Sequence, residues 1–372
     1  MQHLYKIGRG KTAQVHQEIG SNYWLYEEDT HRIGECQHPP MPNVNKIQGS
    51  YISTCRSGIR LILQHITVSR KVAVVPGFTC ESVLVPFQKE GYRVYPYPIS
   101  RNLIVNKDAF LKCILERKPS VVLIHRYFGF DTFPDAKEII QELRYNGIIV
   151  IEDLTQTMFS DYELGRSNYL VGSIRKWFPC PDGAFVSSIY EQLPEDTELS
   201  VAKYDALVHK GMYIEKNIGD RELFRKEFAQ AELMLDSRNE PYAISTISKA
   251  IISQTDISWM KETRWKNYFY LSRHLQVYSI LDVVLPILKG EVVPFMLPVL
   301  VKSNRKKLQN YLAANQIFAT IIWGCPKEFE SLIDDDTKYV YDHILCFHCD
   351  QRYDLNDMKR IIEVIDTFKN GE

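Results

Sequence analysis

Between residue 54 and about residue 190, short apolar runs alternate with helical patterns, and this alternation constrains the fold more than any other feature of the chain. We predict five strands here: VAVVP (72–76), RVYPYP (93–98), SVVLIH (120–125), IIVIED (148–153) and AFVSSI (184–189). Several are apolar throughout, as strands buried on both faces are. The pattern predicts an α/β fold in which helices cover both faces of a mostly parallel sheet. In such sheets, ligands bind at the carboxyl ends of the strands.

Two of the intervening segments have clear helical periodicity. The apolar positions of CRSGIRLILQHI recur at helical spacing: Ile59, Ile62, Leu63 and Ile66. In TFPDAKEIIQELRYNG, Thr132 is the candidate N-terminal cap and Pro134 is expected in the first turn. Gly147 is expected to end that helix, because glycine readily adopts the backbone conformation found after a helix.

The rest of the chain divides into a helical part and a second mixed part. Residues 200–275 are charged and helical in pattern, without clear strands. After residue 285, VVPFMLPVLV, SNRKKLQNYLAANQ and FATIIWG restore the alternation of strand and helix, and a last helix is expected from Asp354. We expect an N-terminal segment, a large domain and a smaller C-terminal α+β domain, at residues 1–45, 46–265 and 266–372.

The composition excludes several classes of protein. The formal net charge is -1 and the pI is about 6.8, whereas a protein that binds nucleic acid or a membrane surface has a basic excess. The first residues, MQHLYKIGRGK, have no apolar core of signal-peptide length, and apolar runs such as FMLPVLV (295–301) are too short to cross a bilayer. We expect a cytoplasmic protein that acts on small molecules.

Two short motifs carry no function in this interpretation. The eight cysteines are expected to be reduced thiols, and Cys346 and Cys349 lack the second ligand pair that a zinc site needs, so no metal is expected. GRGKT (8–12) resembles part of a phosphate-binding loop. The full loop needs a glycine where Tyr5 stands and a preceding strand, and both are missing.

Polar residues follow two of the apolar runs. Asp153 ends IIVIED, with Gln156 three residues later. A buried aspartate needs a cationic or hydrogen-bonding partner, and the alternative is an ordinary cap of the next turn. TCRSGIR (54–60) places Arg56 and Ser57 at the expected start of a helix, where free backbone N–H groups bind anions. The alternative here is an ordinary Ser/Thr cap.

The third feature is Lys176, which follows a short apolar strand and precedes PCPDG. Most lysines are solvated surface charges. Here, however, Arg175 and the apolar Trp177 and Phe178 are expected to disfavour the ammonium form, so that the amine can attack a carbonyl. An anion site, a buried carboxylate and an activated lysine together fit pyridoxal 5′-phosphate. Its phosphate would bind at the start of the helix, and its pyridinium nitrogen would pair with the aspartate. Its aldehyde would form a Schiff base with the lysine.

With these residues in place, most of the chain resembles the DegT/DnrJ/StrS family of pyridoxal-phosphate aminotransferases, which act on sugars and have the aspartate aminotransferase fold, fold type I. The most specific match is IIVIEDLTQT (148–157), similar to the family's Val-Ile-Glu-Asp-x-x-Gln segment. SIRKWFPCPDGAFVS (173–187) stands where the family has its Schiff-base lysine and a Gly-Gly-Ala strand. Three further segments resemble its phosphate-loop helix, its cofactor-covering loop and its C-terminal segment: CRSGIRLIL (55–63), VVPGFTCESVLVPFQKEGYRV (74–94) and DQRYDLNDMKRIIEVI (350–365).

The resemblance implies roles for individual residues. Lys176 would form the Schiff base, Asp153 would pair with the pyridinium nitrogen, and Gln156 would bind the ring hydroxyl. Arg56 and Ser57 lie in the segment that binds the phosphate. The resemblance also implies a homodimer with its sites at the interface.

Several positions depart from the family pattern. Cys55 and Arg56 replace a glycine and a threonine, and Cys80 stands where an aromatic residue stacks on the cofactor ring. Arg126 occupies the place of a histidine. Val171 replaces a serine, whose phosphate contact Ser173 is expected to supply. The asparagine-tyrosine motif that reaches the partner's site is altered to NEPYAIS (239–245).

The resemblance implies a transaminase that moves an amino group from glutamate to a nucleotide-linked keto sugar in surface polysaccharide synthesis. Lys176 would act as general base and acid. Two alternatives remain open. One is different chemistry on the same cofactor, such as a lyase or a dehydratase, although dehydrating members have a histidine in place of the lysine. The other is a non-catalytic relative that serves as a binding scaffold.

Overall fold

The structure is a computed structural model that describes residues 18–35, 48–161, 166–238 and 240–370. The GRGKT segment and most of the expected N-terminal segment lie outside the described residues, as does Asn239 of NEPYAIS. Within the described ranges, no helix is both long enough and apolar enough to cross a membrane.

The described chain contains short strands and longer helices in alternation. The strands are β1 (Ile19–Gly20), β2 (Gly49–Ile52), β3 (Val72–Pro76), β4 (Arg93–Tyr97), β5 (Val121–His125), β6 (Ile149–Asp153), β7 (Tyr169–Ser173), β8 (Ala184–Ser187), β9 (Leu281–Val283), β10 (Leu297–Val301), β11 (Ile317–Phe318) and β12 (Ile344–Phe347). The helices are α1 (Glu27–Glu35), α2 (Cys55–His65), α3 (Glu81–Lys89), α4 (Lys107–Arg117), α5 (Ala136–Tyr145), α6 (Thr197–Lys216), α7 (Arg221–Ser237), α8 (Thr246–Ser253), α9 (Ile257–Leu275), α10 (Arg305–Ala314), α11 (Asp335–His343) and α12 (Leu355–Asn370).

Seven strands form the central sheet, in the order β2-β8-β7-β6-β5-β3-β4. Strand β8 runs antiparallel to both of its neighbours, and the other pairs in the sheet are parallel. The five predicted strands correspond to β3, β4, β5, β6 and β8. The predicted fold class, an α/β fold with a mostly parallel sheet, is confirmed.

Both faces of the central sheet are buried, as expected for strands that are apolar throughout. On β5, Val122 and Ile124 belong to a core shared with α4 and α5, whereas Val121 and Leu123 belong to a second core shared with α2 and α3. Successive side chains of a strand point to opposite faces, so a continuous apolar run supplies both cores at once.

The helix predicted from Thr132 begins later than expected. Helix α5 starts at Ala136, with Asp135 at the cap position. The Thr132 hydroxyl instead accepts a hydrogen bond from the Tyr127 backbone N–H over 3.0 Å, so it holds the turn after β5 and does not cap the helix. Gly147 follows α5 with a φ of +76°, in agreement with its predicted role as the helix end.

The C-terminal part has its own antiparallel sheet, in the order β12-β10-β9, packed against α9, α10 and α11, and α12 packs on α9 and α10. Of the segment FATIIWG, Phe318 lies in a strand, β11, which pairs with β1, and Thr320 makes an isolated bridge with Cys346. Helix α9 runs continuously across the expected domain boundary at residues 265 and 266, and that boundary stays a prediction.

Candidate active site

The carboxyl ends of β3, β5, β6 and β7 meet at one edge of the central sheet. Their parallel register places His125 directly beside Asp153, and Asp153 beside Val171. A cavity of about 560 Å³ opens at this edge. We call it the edge cavity; its wall consists of the starts of α2 and α3, the ends of β5, β6 and β7, one face of α7, and Trp323.

Lys176 reaches the edge cavity because the chain makes one 3₁₀ turn, Ile174–Lys176, directly after β7. Ile174 and Trp177 are fully buried on either side of it and fix the turn. The half-buried Lys176 side chain makes no hydrogen bond or ion pair to any described residue. The ε-amine therefore faces the cavity without a fixed partner.

The residue after the lysine is held by distant parts of the chain. The Trp177 carbonyl accepts hydrogen bonds from Gln351 Nε2 over 2.7 Å and from the Tyr23 hydroxyl over 3.2 Å. The Trp177 indole N–H donates to the Thr155 carbonyl over 2.8 Å. These three contacts of Trp177 fix the backbone directly after Lys176.

PCPDG turns the chain back into the sheet as β8, and its aspartate anchors the turn. Asp182 is buried and accepts hydrogen bonds from the Ser245 hydroxyl over 2.7 Å and from the Ser248 hydroxyl. Gly183 has a φ of +133°, which favours glycine at this point. The Gly183 carbonyl accepts from the Arg175 N–H over 3.0 Å, which closes the loop around Lys176.

Asp153 ends β6 and lies in the wall of the edge cavity. Its Oδ1 accepts the Thr155 backbone N–H over 2.8 Å, and its Oδ2 lies 3.4 Å from His125 Nδ1. Burial alone would raise the pKa of the Asp153 carboxyl, but the hydrogen bonds from His125 and Thr155 lower it below its ordinary value. The site therefore keeps a buried carboxylate ionised.

Thr155 links three elements of the site. Its hydroxyl accepts the Ser173 backbone N–H over 3.1 Å and donates to Cys55 Sγ over 3.8 Å. Burial raises the pKa of the Cys55 thiol well above its ordinary value, and the nearby Asp153 carboxylate acts in the same direction. Cys55 is consequently a neutral thiol at the start of α2.

The start of α2 combines a cap with an ion pair. Thr54 Oγ1 accepts the Ser57 backbone N–H over 3.1 Å, and the Ser57 hydroxyl bonds back to the Thr54 carbonyl over 2.9 Å. Arg56 lines the edge cavity, where its Nη2 pairs with Asp236 Oδ1 of α7 over 2.7 Å. The cap and the cation are thus supplied by different residues.

Five of the seven site residues predicted from the sequence line the edge cavity: Lys176, Asp153, Arg56, Cys80 and Ser173. The other two, Gln156 and Ser57, are not among its wall residues. Gln156 Oε1 accepts the Phe128 backbone N–H over 2.8 Å, and the Ser57 hydroxyl is bonded to Thr54. Their contacts to a cofactor stay predictions.

Arg126, which stands in the place of a family histidine, does not reach the cavity. It is buried and donates to Glu152 over 2.6 Å and to Asp131 over 2.8 Å. His125, one residue earlier, lines the cavity instead. The sequence could have predicted this position of His125, because His125 ends a predicted strand that neighbours the strand of Asp153.

The sequence reasoning missed three further groups in the wall of the edge cavity. Glu232 and Asp236 of α7 lie one helical turn apart and both face the cavity. Trp323 comes from the C-terminal part and packs against Phe78 at a ring distance of 5.0 Å. The spacing of Glu232 and Asp236 in the sequence could have predicted that they share one face of a helix. It could not have predicted that this face covers the cavity.

The chemistry of the wall fits pyridoxal phosphate. Arg56 Nε and His125 Nε2 are buried polar atoms with no hydrogen-bond partner among the described residues, and both side chains line the edge cavity. Such atoms usually have a partner, so these two are suited to contacting a polar ligand. Asp153 and Lys176 add the ionised carboxylate and the unpaired amine that the cofactor needs.

No family model matches the chain. Serine hydroxymethyltransferases from Methanothermobacter marburgensis and Methanothermobacter thermautotrophicus are each 30% identical to it over 122 residues, which is 30% of this chain. The match spans only 28% of the length of these curated relatives.

Solved structures resemble the chain over most of its length. Helicobacter pylori PseC, an aminotransferase involved in the biosynthesis of pseudoaminic acid, has a TM-score of 0.68 at 14% identity, covering 95% of this chain and 100% of PseC. A DegT/DnrJ/EryC1/StrS aminotransferase from Brucella abortus has 0.63 at 16%, covering 91% and 94%. The GDP-4-keto-6-deoxymannose-3-dehydratase ColD has 0.63 at 15%, covering 93% and 99%. At these identities the likeness establishes the fold: the chain has the fold type I architecture of the sugar aminotransferases.

Proposed function

We propose that the chain is a pyridoxal-phosphate-dependent aminotransferase that acts on a keto sugar, with its active site in the edge cavity. The observation that carries this proposal is the pairing, in one cavity, of a buried ionised carboxylate with an unpaired lysine amine, at the carboxyl edge of the sheet. PseC and the Brucella protein, which share this fold, are aminotransferases, and this supports the proposal, as does the sequence resemblance.

Different residues of the cavity would bind different parts of the cofactor. Asp153, kept ionised by His125 and Thr155, would hold a proton on the ring nitrogen of the cofactor. Arg56 and the backbone N–H groups at the start of α2 would bind its phosphate. Cys80 and Thr155, which also line the cavity, would cover the faces of its ring. When bound, the cofactor supplies an electron sink for the carbanion formed on proton removal.

Lys176 would carry the chemistry of proton transfer. Its amine would anchor the cofactor and, once released, move a proton to and from the substrate carbon as general base and acid. Because its backbone is fixed on both sides while its side chain is free, the amine can change position without moving the turn.

The finer parts of the proposal follow from the resemblance. The amino donor would be glutamate and the acceptor a nucleotide-linked keto sugar used in surface polysaccharide synthesis. We also propose a cytoplasmic homodimer, which light scattering during gel filtration would test. ColD, a dehydratase, has the same fold, but Lys176 stands where dehydrating family members have a histidine, so transamination is favoured.

Trapping of the cofactor tests the assignment of Lys176. The purified protein loaded with pyridoxal phosphate is expected to absorb at about 400–430 nm, and borohydride is expected to fix the cofactor to Lys176, as mapped by peptide mass spectrometry. Lys176→Ala is expected to lose the fixation while its circular dichroism stays unchanged. Fixation at Lys203, or a wild-type protein that binds no cofactor, would overturn the proposal. The latter result would favour the non-catalytic scaffold.

A further inference from the structure

A second, smaller cavity also has Lys176 in its wall. Its volume is about 230 Å³, and it shares Arg175, Lys176, Glu232 and Trp323 with the wall of the edge cavity. Five lysine and arginine side chains among the described residues line it, against two carboxylates, so we call it the cationic cavity. The reacting amine of the proposed function therefore faces two compartments of different size and charge.

Two of the five cations already make at least four side-chain hydrogen bonds each to other protein groups. Arg352 makes two hydrogen bonds to Asp350, both 2.8 Å long, and bonds the carbonyls of Ser21 and Asn22. Arg264 donates to Gln351, to the Tyr23 hydroxyl and to two backbone carbonyls. These guanidinium groups contribute positive charge to the cavity, but most of their donors are bonded to other protein groups.

Arg175 and Lys203 differ, because they share a single carboxylate. Glu232 Oε1 lies 3.3 Å from Arg175 Nη1 and also accepts from Lys203 Nζ. A guanidinium has five N–H donors and an ammonium three, so both side chains keep donors for a ligand. Burial would raise the pKa of Glu232, but the two cations lower it to about 2. One resident anion thus faces two cations that have donors to spare.

We infer that the cationic cavity binds a carboxylate group of the amino donor, through Arg175 and Lys203. The inference rests on the proposed function, which requires an amino acid to present its amino group near Lys176. The cavity is smaller than the roughly 300–1,000 Å³ of pockets for drug-sized ligands, so it suits a small acid and excludes a nucleotide sugar. Phe178 and Met296 in its wall offer apolar contact to the methylene groups of such an acid.

The arrangement assigns the two substrates to different compartments. The donor and the acceptor each bring a reacting carbon to the same place beside Lys176. The non-reacting end of the donor occupies the cationic cavity, whereas the acceptor sugar extends into the larger edge cavity. Donor and acceptor then compete for the reacting position, while different residues determine their affinities.

Calorimetric titration with succinate tests the site, because succinate has two carboxylates and no reacting group. We expect it to bind the cofactor-loaded protein, and we expect Arg175→Gln and Lys203→Gln each to weaken binding by about tenfold or more. Arg225→Gln is the matched control, since it removes an exposed cation from α7 that lines neither cavity. Succinamide, the neutral analogue, is expected not to bind.

A variant that is expected to tighten binding separates a loss of the site from a loss of folding. Glu232→Gln removes the resident anion and is expected to tighten succinate binding. In steady-state kinetics, Arg175→Gln is expected to raise the KM of the amino donor and to leave the KM of the acceptor unchanged.

Three results would overturn the inference: unchanged succinate affinity in folded Arg175→Gln and Lys203→Gln, weaker binding in Glu232→Gln, or succinate binding that depends equally on Arg225. Cofactor binding is measured separately by absorbance. A protein that binds no pyridoxal phosphate contradicts the proposed function, whereas a loaded protein that ignores succinate contradicts only this site.

Discussion

The ion pair between Arg56 and Asp236 predicts how strongly the chain binds a phosphate group. The two side chains are 21% and 59% exposed, and their charged atoms lie 2.7 Å apart at the start of α2. If this helix start binds the cofactor phosphate, the phosphate competes with Asp236 for the same guanidinium. Asp236→Ala is therefore expected to tighten cofactor binding, and Arg56→Ala is expected to weaken it.

The magnitudes follow from the exposure of the pair. A solvent-exposed ion pair is worth about 0.2–1 kcal/mol, so losing the competitor improves affinity by up to about fivefold. A hydrogen bond to a charged group is worth about 1.5–3 kcal/mol, from which the cost of breaking the ion pair is subtracted. The remainder, about 1–2 kcal/mol, predicts that Arg56→Ala weakens cofactor binding by about five- to thirtyfold.

A double-mutant cycle measures the coupling directly. Affinities for pyridoxal phosphate are determined by calorimetry in a Lys176→Ala background, which removes the covalent contribution. Glu240→Ala is the control, because Glu240 pairs with Arg60 one turn further along α2 over 3.3 Å and does not line the edge cavity. The reasoning fails if Asp236→Ala weakens binding, or if its effect is the same when Arg56 is absent.

Three further changes test other parts of the structure. Asp153→Asn is expected to bind the cofactor but to lose most transamination, measured as turnover of glutamate, because it removes the charge held beside the ring nitrogen; near-normal turnover would mean that another group has this role. Ser57→Ala is expected to lower the free energy of unfolding in urea by about 1 kcal/mol and to leave cofactor affinity unchanged, because among the described residues its hydroxyl bonds only Thr54. Burial, together with the nearby Arg352 guanidinium, lowers the pKa of Lys210 from 10.5 to about 7. Between these pH values the unfolded chain binds more protons than the folded chain. The free energy of unfolding is therefore expected to rise as the pH increases from 7 to 10. In urea unfolding, Lys210→Met is expected to show a smaller rise of the free energy of unfolding with pH than the wild-type protein. An equal rise would contradict the assignment of this pH dependence to Lys210.

Periodicity and strand order predicted the framework of the site well. VAVVP coincides with β3 residue for residue, and the ends of IIVIED and of the strand before Lys176 lie at one edge because parallel strands share their direction. The prediction that Asp153 and Lys176 lie near one another needed only that rule, and the structure places both in one cavity wall.

The remaining features depend on contacts between distant segments, which local patterns do not encode. Asp236 meets Arg56 across 180 residues of sequence, because α7 packs over the edge cavity. Gln156 follows Asp153 at the predicted spacing, but a backbone N–H of the neighbouring turn binds its side chain. Thr132 had the residue type of a cap and bonds the turn before the helix instead. In each case, tertiary packing decided which of several possible hydrogen bonds formed.

The contacts around the Trp177 carbonyl also determine when, during synthesis of the chain, the site can be completed. One donor, Tyr23, leaves the ribosome long before Lys176, whereas the other, Gln351, leaves it long afterwards. Domains of this size often pass through partly folded states, and contacts of high sequence separation form late. A nascent chain that has folded its central sheet still lacks the last support of the lysine turn. Attachment of the cofactor is therefore expected to follow synthesis and folding of the segment around Gln351, so cofactor captured at Lys176 would report that this late segment has docked.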